Sequence, residues 1–119
     1  MSFVKVEIIT SEAKVPELME AFSKISVTGM TVYQVMGCGV QYGTQEYEAE
    51  RKDTPTLLPK QCVMVVIPAE RLESFLDYVK KELYTGHIGD GKIFLTTIDN
   101  VIRVRTGEEG TEALVEGDI

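Results

Sequence analysis

One stretch of the chain has residue types suited to holding phosphate. Thr85-Gly86-His87-Ile88-Gly89-Asp90-Gly91-Lys92 puts three glycines and a lysine within one turn-length segment. Glycines let backbone N–H groups approach an anion, and the lysine adds a positive charge. Gly86, four residues and then Gly91-Lys92 reproduce the spacing of a P-loop, but only in part. Ile93 stands where the magnesium-binding Ser or Thr belongs, and the following residues read as a strand where that motif needs a helix. This speaks against a nucleotide triphosphatase of that kind. Taken alone, the segment is better explained as an ordinary glycine-rich turn ahead of a strand. Arg103-Val104-Arg105 is the second candidate: on a short strand, side chains two apart share a face, and paired guanidinium groups match the planar oxygens of phosphate. A solvated edge strand is the plain alternative.

Other chemistry is absent. His87 is the only histidine, has no nucleophile at a known spacing and reads as a loop residue. Glu46, Glu48, Glu50, Glu108 and Glu109 read as solvated charge and not as a metal cluster. Cys38 and Cys62 lie far apart, without zinc-knuckle or redox spacing, and read as free thiols. No catalytic or metal-binding residue is assigned, and no cofactor.

The elements that must position these residues follow from periodicity. Phe3 to Ile9 alternates and then turns apolar, as a strand with one side in the core. Val15, Leu18, Met19 and Phe22 form a helical stripe, with Thr10 or Ser11 as cap and Pro16 tolerated in the first turn. Met30 to Met36 reads as strand two, Gln61 to Ile67 as a central strand three ended by Pro68, and Lys92 to Ile98 as strand four. Val101 to Val104 reads as a short fifth strand. Leu72, Phe75, Leu76, Val79 and Leu83 mark a second helix, which Gly86 can close in the left-handed conformation. The resulting order, βαββαβ, is the ferredoxin-like split-βαβ pattern of the α+β class. Two helices cover one sheet face. The other face is bare yet apolar, which predicts an obligate oligomer.

Between strands two and three, residues 37–59 carry glycines at 37, 39 and 43, prolines at 55 and 59 and a polar middle. Connections in compact domains average about 4 to 6 residues, so a loop this long is a functional hint. The stretch 107–119, glycine-rich and acidic, predicts a mobile tail unless a ligand or neighbour holds it. The 119 residues suit one domain, and 44% apolar with 26% charged residues is a globular composition. A net charge of -7 repels nucleic acid, so an anionic ligand needs a local cluster of donors. No apolar run is long enough to span a membrane, and the first residues lack the pattern of a signal peptide, which predicts a cytoplasmic protein.

Five blocks in order, Val27-Thr28-Gly29-Met30-Thr31-Val32, Gly37-Cys38-Gly39 with Gln41 and Gly43, Leu58-Pro59-Lys60, Thr85 to Phe94, and Val101 to Glu109, resemble the PII signal-transduction family. The resemblance implies a homotrimer whose clefts between subunits each bind ATP or ADP, and it makes residues 37–59 the T-loop that engages partners. By position, Ile9, Gly37, Cys38, Gly39, Gln41 and Met64 would line the cleft, and Gly89, Asp90, Gly91 and Lys92 would cradle phosphates. The neighbouring subunit would supply Gly29, Met30, Thr31, Arg103 and Arg105. Gln41, Gly43 and Lys60 would hold a second effector: 2-oxoglutarate beside magnesium-bound ATP in relatives, or a smaller anion such as bicarbonate.

The departures from the family are specific. Val40 replaces an arginine that reaches the outer phosphates in nitrogen-sensing members. A lost charge-assisted bond is worth on the order of 1.5 to 3 kcal/mol, so ADP or AMP should compete better against ATP than is usual in the family. Asp53 and Arg51 stand where relatives carry a modified tyrosine and serine, and Thr10-Ser11 replaces the usual Lys-Pro. Cys62 and Met64 stand where charges are frequent, shifting adenine recognition toward backbone atoms. The chain is thus more similar to divergent, carboxysome-associated PII-like proteins that sense ADP or AMP with bicarbonate. The expected function is a regulatory, non-enzymatic one: nucleotide, with bicarbonate as second ligand, changes the T-loop, which a partner such as a membrane anion transporter reads. The alternatives are a nitrogen regulator sensing ATP, ADP and 2-oxoglutarate, and a slow ATPase.

Overall fold

The computed structural model describes residues 2–27, 29–39, 56–86 and 91–114. Strand β1 (Phe3–Thr10) leads through a 3-10 turn (Glu12–Lys14) into helix α1 (Val15–Lys24). Strands β2 (Thr31–Gly39) and β3 (Thr56–Pro68) follow, then a 3-10 turn (Ala69–Arg71) and helix α2 (Leu72–Leu83). Strand β4 (Lys92–Ile98) completes the sheet, and a 3-10 turn (Gly110–Leu114) follows it. The sheet order is β2-β3-β1-β4 with every pair antiparallel, the ferredoxin-like α+β arrangement expected from the element order.

Alternation in the strands sets which face is buried. Val4, Val6 and Ile8 of β1 and Val63, Val65 and Ile67 of β3 turn to the helices and form the core with Leu18, Phe22, Phe75, Val79 and Leu83. The helices meet through Phe22 and Phe75, whose ring centroids are 5.3 Å apart, and through the Tyr78 hydroxyl, which donates to the Ala21 carbonyl at 3.2 Å. Met19, counted in the α1 stripe, is instead 55% exposed, and Ala21 takes the buried place beside Phe22. Neither Thr10 nor Ser11 caps α1: Lys14 stands at its N-cap and the 3-10 turn at 12–14 supplies the entry. Gly86 does have a left-handed φ of 83°, but α2 stops earlier, at an extended Tyr84.

Three other expectations differ from the described structure. Strands β2 and β3 run past the boundaries read from the sequence, pairing from Thr31↔Met64 out to Gly39↔Thr56. Pro59 is tolerated because β1 pairs only with Gln61–Pro68, so among the described residues the outer part of β3 is bonded on one side alone. The T-loop expected at 37–59 therefore begins and ends as a two-stranded ribbon, and residues 40–55 lie outside the described ones. Val101 to Val104 is not a fifth strand of the sheet: Ile102 makes a single bridge to Glu109, and 104–106 form a turn. A stretch of four residues alternates too briefly to separate a strand from such a turn. Of the tail expected at 107–119, Gly110–Leu114 folds as the 3-10 turn, placing Gly110 next to the Phe3 ring; residues 115–119 lie outside the described ones. Among the described residues no helix is long and apolar enough to cross a membrane.

Candidate functional site

Register assigns six of the candidate residues to one face. Ile9 lies opposite Cys62 of β3 and Lys92 of β4, and Met64 lies between Glu7 and Thr31. Directly opposed residues share a face, so Ile9, Thr31, Met64 and Lys92 all sit on the side of the sheet that no helix covers. Lys60 and Gly37 continue that face out along the ribbon. A Cβ on Gly37 would come within 3.2 Å of the Lys60 Cγ, so the lysine stem lies across the glycine. Cys38, one residue on, falls on the opposite face; its thiol is free and exposed, so on the helix-free side Cys38 offers only backbone.

Gly91 opens β4 under two constraints. Its φ of 113° is a conformation that L side chains rarely adopt, and a Cβ there would collide with the Ile9 carbonyl oxygen. The glycine thus lets the chain arrive against β1 and start β4 with Lys92 beside Ile9. A cavity of about 500 Å3, mainly apolar, opens on the other side of Gly91 among Lys80, Lys81, Leu83, Tyr84 and Ile93. Gly29, with φ 69°, is exposed and precedes a half-buried Met30 that packs on the core. Gln41, Gly43, Gly89 and Asp90 lie outside the described residues.

Arg103 and Arg105 do not share a strand face, because 104–106 turn. They instead line one open depression of about 570 Å3 with Ile102, Val104 and Ala113. Arg103 is held within its own turn: Nη1 pairs with Glu108 Oε1 at 3.0 Å, and Nη2 donates to the Ala113 carbonyl at 3.3 Å. Glu108, read from the sequence as solvated charge, is therefore a partner of the arginine. Among the described residues no group of acids, histidines and cysteines could hold a metal ion.

A cluster that sequence reasoning missed occupies the middle of the helix-free face. The Tyr33 hydroxyl donates to Glu7 Oε2 at 2.7 Å, and the Cys62 thiol lies 3.9 Å from the same oxygen. The Cys62 thiol and then the Glu7 carboxylate push the Tyr33 phenol well above its usual titration range. An acid at Glu7, inside the otherwise apolar run Val6 to Ile9, was the available signal.

Comparison with known proteins bears on this arrangement. The family model "Nitrogen regulatory protein P-II" matches residues 3–108. The chain is 40% identical over 109 residues to the nitrogen regulatory protein GlnK of Escherichia coli K12, covering 92% of this chain and 97% of that protein. It superposes on a structure of B. subtilis GlnK with a TM-score of 0.79 at 37% identity, covering 96% of this chain and all of the other. It superposes on a B. subtilis GlnK–ATP complex with a TM-score of 0.77 at 35% identity, covering 95% and 98%.

Proposed function

The chain belongs to the P-II family of regulatory proteins, and we propose that it works as a homotrimer that senses adenine nucleotides in clefts between its subunits. The observation that carries this is the shared face: register puts Ile9, Met64 and Lys92 together on the helix-free side of the sheet, with Gly91 pressed against the Ile9 backbone. A face that is apolar at Met64, Val66 and Phe94 and has no helix over it is suited to a second copy. Gly91 and Lys92 form one wall of the cleft, where Gly89 and Asp90 would add a phosphate cradle; Gly29, Met30, Thr31, Arg103 and Arg105 of the neighbour form the other. Gly37, Cys38 and Gly39 join the first wall at the loop base, and Gln41, outside the described residues, would extend it. A B. subtilis relative of the same fold was solved with ATP, which supports a nucleotide there. The family is regulatory, so a slow ATPase is set aside.

The reading extends to the second ligand and the partner. Lys60, laid along Gly37 at the root of the loop, supplies the cation for a small anion; Gln41 and Gly43, outside the described residues, would complete that site. Val40 in place of a charged residue favours ADP and AMP, and bicarbonate is the anion this reading takes. The loop then changes its order, and a membrane anion transporter reads it. A second reading, nitrogen regulation with 2-oxoglutarate, draws on the E. coli GlnK relative. Calorimetric titration of AMP, ADP and ATP, each with and without bicarbonate or 2-oxoglutarate, separates them. Tighter ADP or AMP binding in bicarbonate supports the first; an effect of 2-oxoglutarate confined to ATP supports the second; no adenine nucleotide bound at millimolar concentration removes both.

A further inference from the structure

We infer that Glu108 sets this chain's preference among adenine nucleotides by competing with their phosphates for Arg103. The inference rests on the reading that Arg103 faces the phosphate tail. The carboxylate is a built-in stand-in for that tail: Oε1 takes Arg103 Nη1 at 3.0 Å and the Thr106 hydroxyl at 2.9 Å. The turn holds the pair in register. Arg103 N donates to the Glu108 carbonyl at 2.9 Å, and Gly107 N donates to the Arg103 carbonyl at 2.8 Å. The arginine side chain is only 12% exposed against 40% for Glu108, so the guanidinium is sheltered while water screens the pair in part from the side of the acid.

A phosphate arriving at Arg103 therefore meets a guanidinium already paired and an acid one bond away. The repulsion from Glu108 grows with the charge of the tail, so it penalises ATP most and AMP least. Drawing the guanidinium toward a ligand also withdraws Nη2 from the Ala113 carbonyl, a contact between Arg103 and the Gly110–Leu114 turn. Nucleotide binding and the order of that turn are thus opposed.

Glu108→Gln keeps the shape and an acceptor for Arg103 and Thr106 while removing the charge. Titrated with AMP, ADP and ATP, it should bind all three more tightly than wild type, with a gain that rises along the series to roughly three- to tenfold for ATP. A residue that only shaped the turn would weaken the three equally. Equal or weaker binding by the variant, or a gain that does not rise with charge, overturns the inference and leaves the nucleotide site standing. Failure of the wild type to bind any of them overturns the site itself. Should the variant not fold, amide exchange in the wild type decides: saturating ADP should speed exchange at residues 110–114, and unchanged or slower exchange there contradicts the inference.

Discussion

Gly91 and Tyr33 show how single residues constrain the helix-free face. A side chain at Gly91 would need both a backbone conformation with φ of 113° and space that the Ile9 carbonyl occupies. Gly91→Ala should therefore cost about 1 to 3 kcal/mol of stability and abolish ADP binding, measured by denaturant unfolding and calorimetry. Tyr33 makes a different prediction. Its phenol is held protonated by Cys62 and Glu7, so its folded pKa lies above the unfolded value of about 10. A raised pKa stabilises the fold fully below the unfolded value, and that stabilisation fades as pH rises above it. The stability difference between wild type and Tyr33→Phe should stay flat up to about pH 9 and shrink from about pH 10 upward; a difference that grows there would contradict the assignment. The phosphate-suited glycines and Lys92 were legible because their types alone announce close backbone approach to an anion. Glu7, Tyr33 and Cys62 were not, since what joins them is strand register across 55 residues of sequence.

At the scale of elements, the helices are held on the sheet by a narrow apolar seam. Phe22 is 1% exposed and touches Phe75 across the seam, so Phe22→Ala should destabilise the protein by about 3 to 5 kcal/mol, measured by urea unfolding. The β2–β3 ribbon continues the paired register as far as Gly39↔Thr56. The alternation of β1 and β3 and the stripe of α2 were readable because burial repeats at a fixed period. The ribbon was harder to see: glycines and a proline look like loop, and Pro59 is acceptable in a strand because, among the described residues, outer β3 has a partner on one side alone. The Ile102↔Glu109 turn was hidden for a related reason, since its hold comes from Arg103 and Glu108 reaching across it.

For the whole molecule, the face without helices and the arginine turn belong to one account only if copies of the chain meet. An acidic protein of net charge -7 can attract a polyphosphate only where cations converge, and Lys92 from one copy with Arg103 and Arg105 from the next would converge in this way. Each cleft then needs a cradle from one chain and guanidinium groups from another. Lys92→Ala and Arg105→Ala should each weaken ADP binding severely when purified alone. Unfolded together and refolded as a mixture, they should form mixed trimers in which about a quarter of the clefts combine an intact Lys92 with an intact Arg105. Calorimetry of the mixture should recover wild-type affinity at that fraction of sites. Recovery of none, in a mixture shown by native mass spectrometry to contain mixed trimers, would mean that the two residues do not complete one site between subunits.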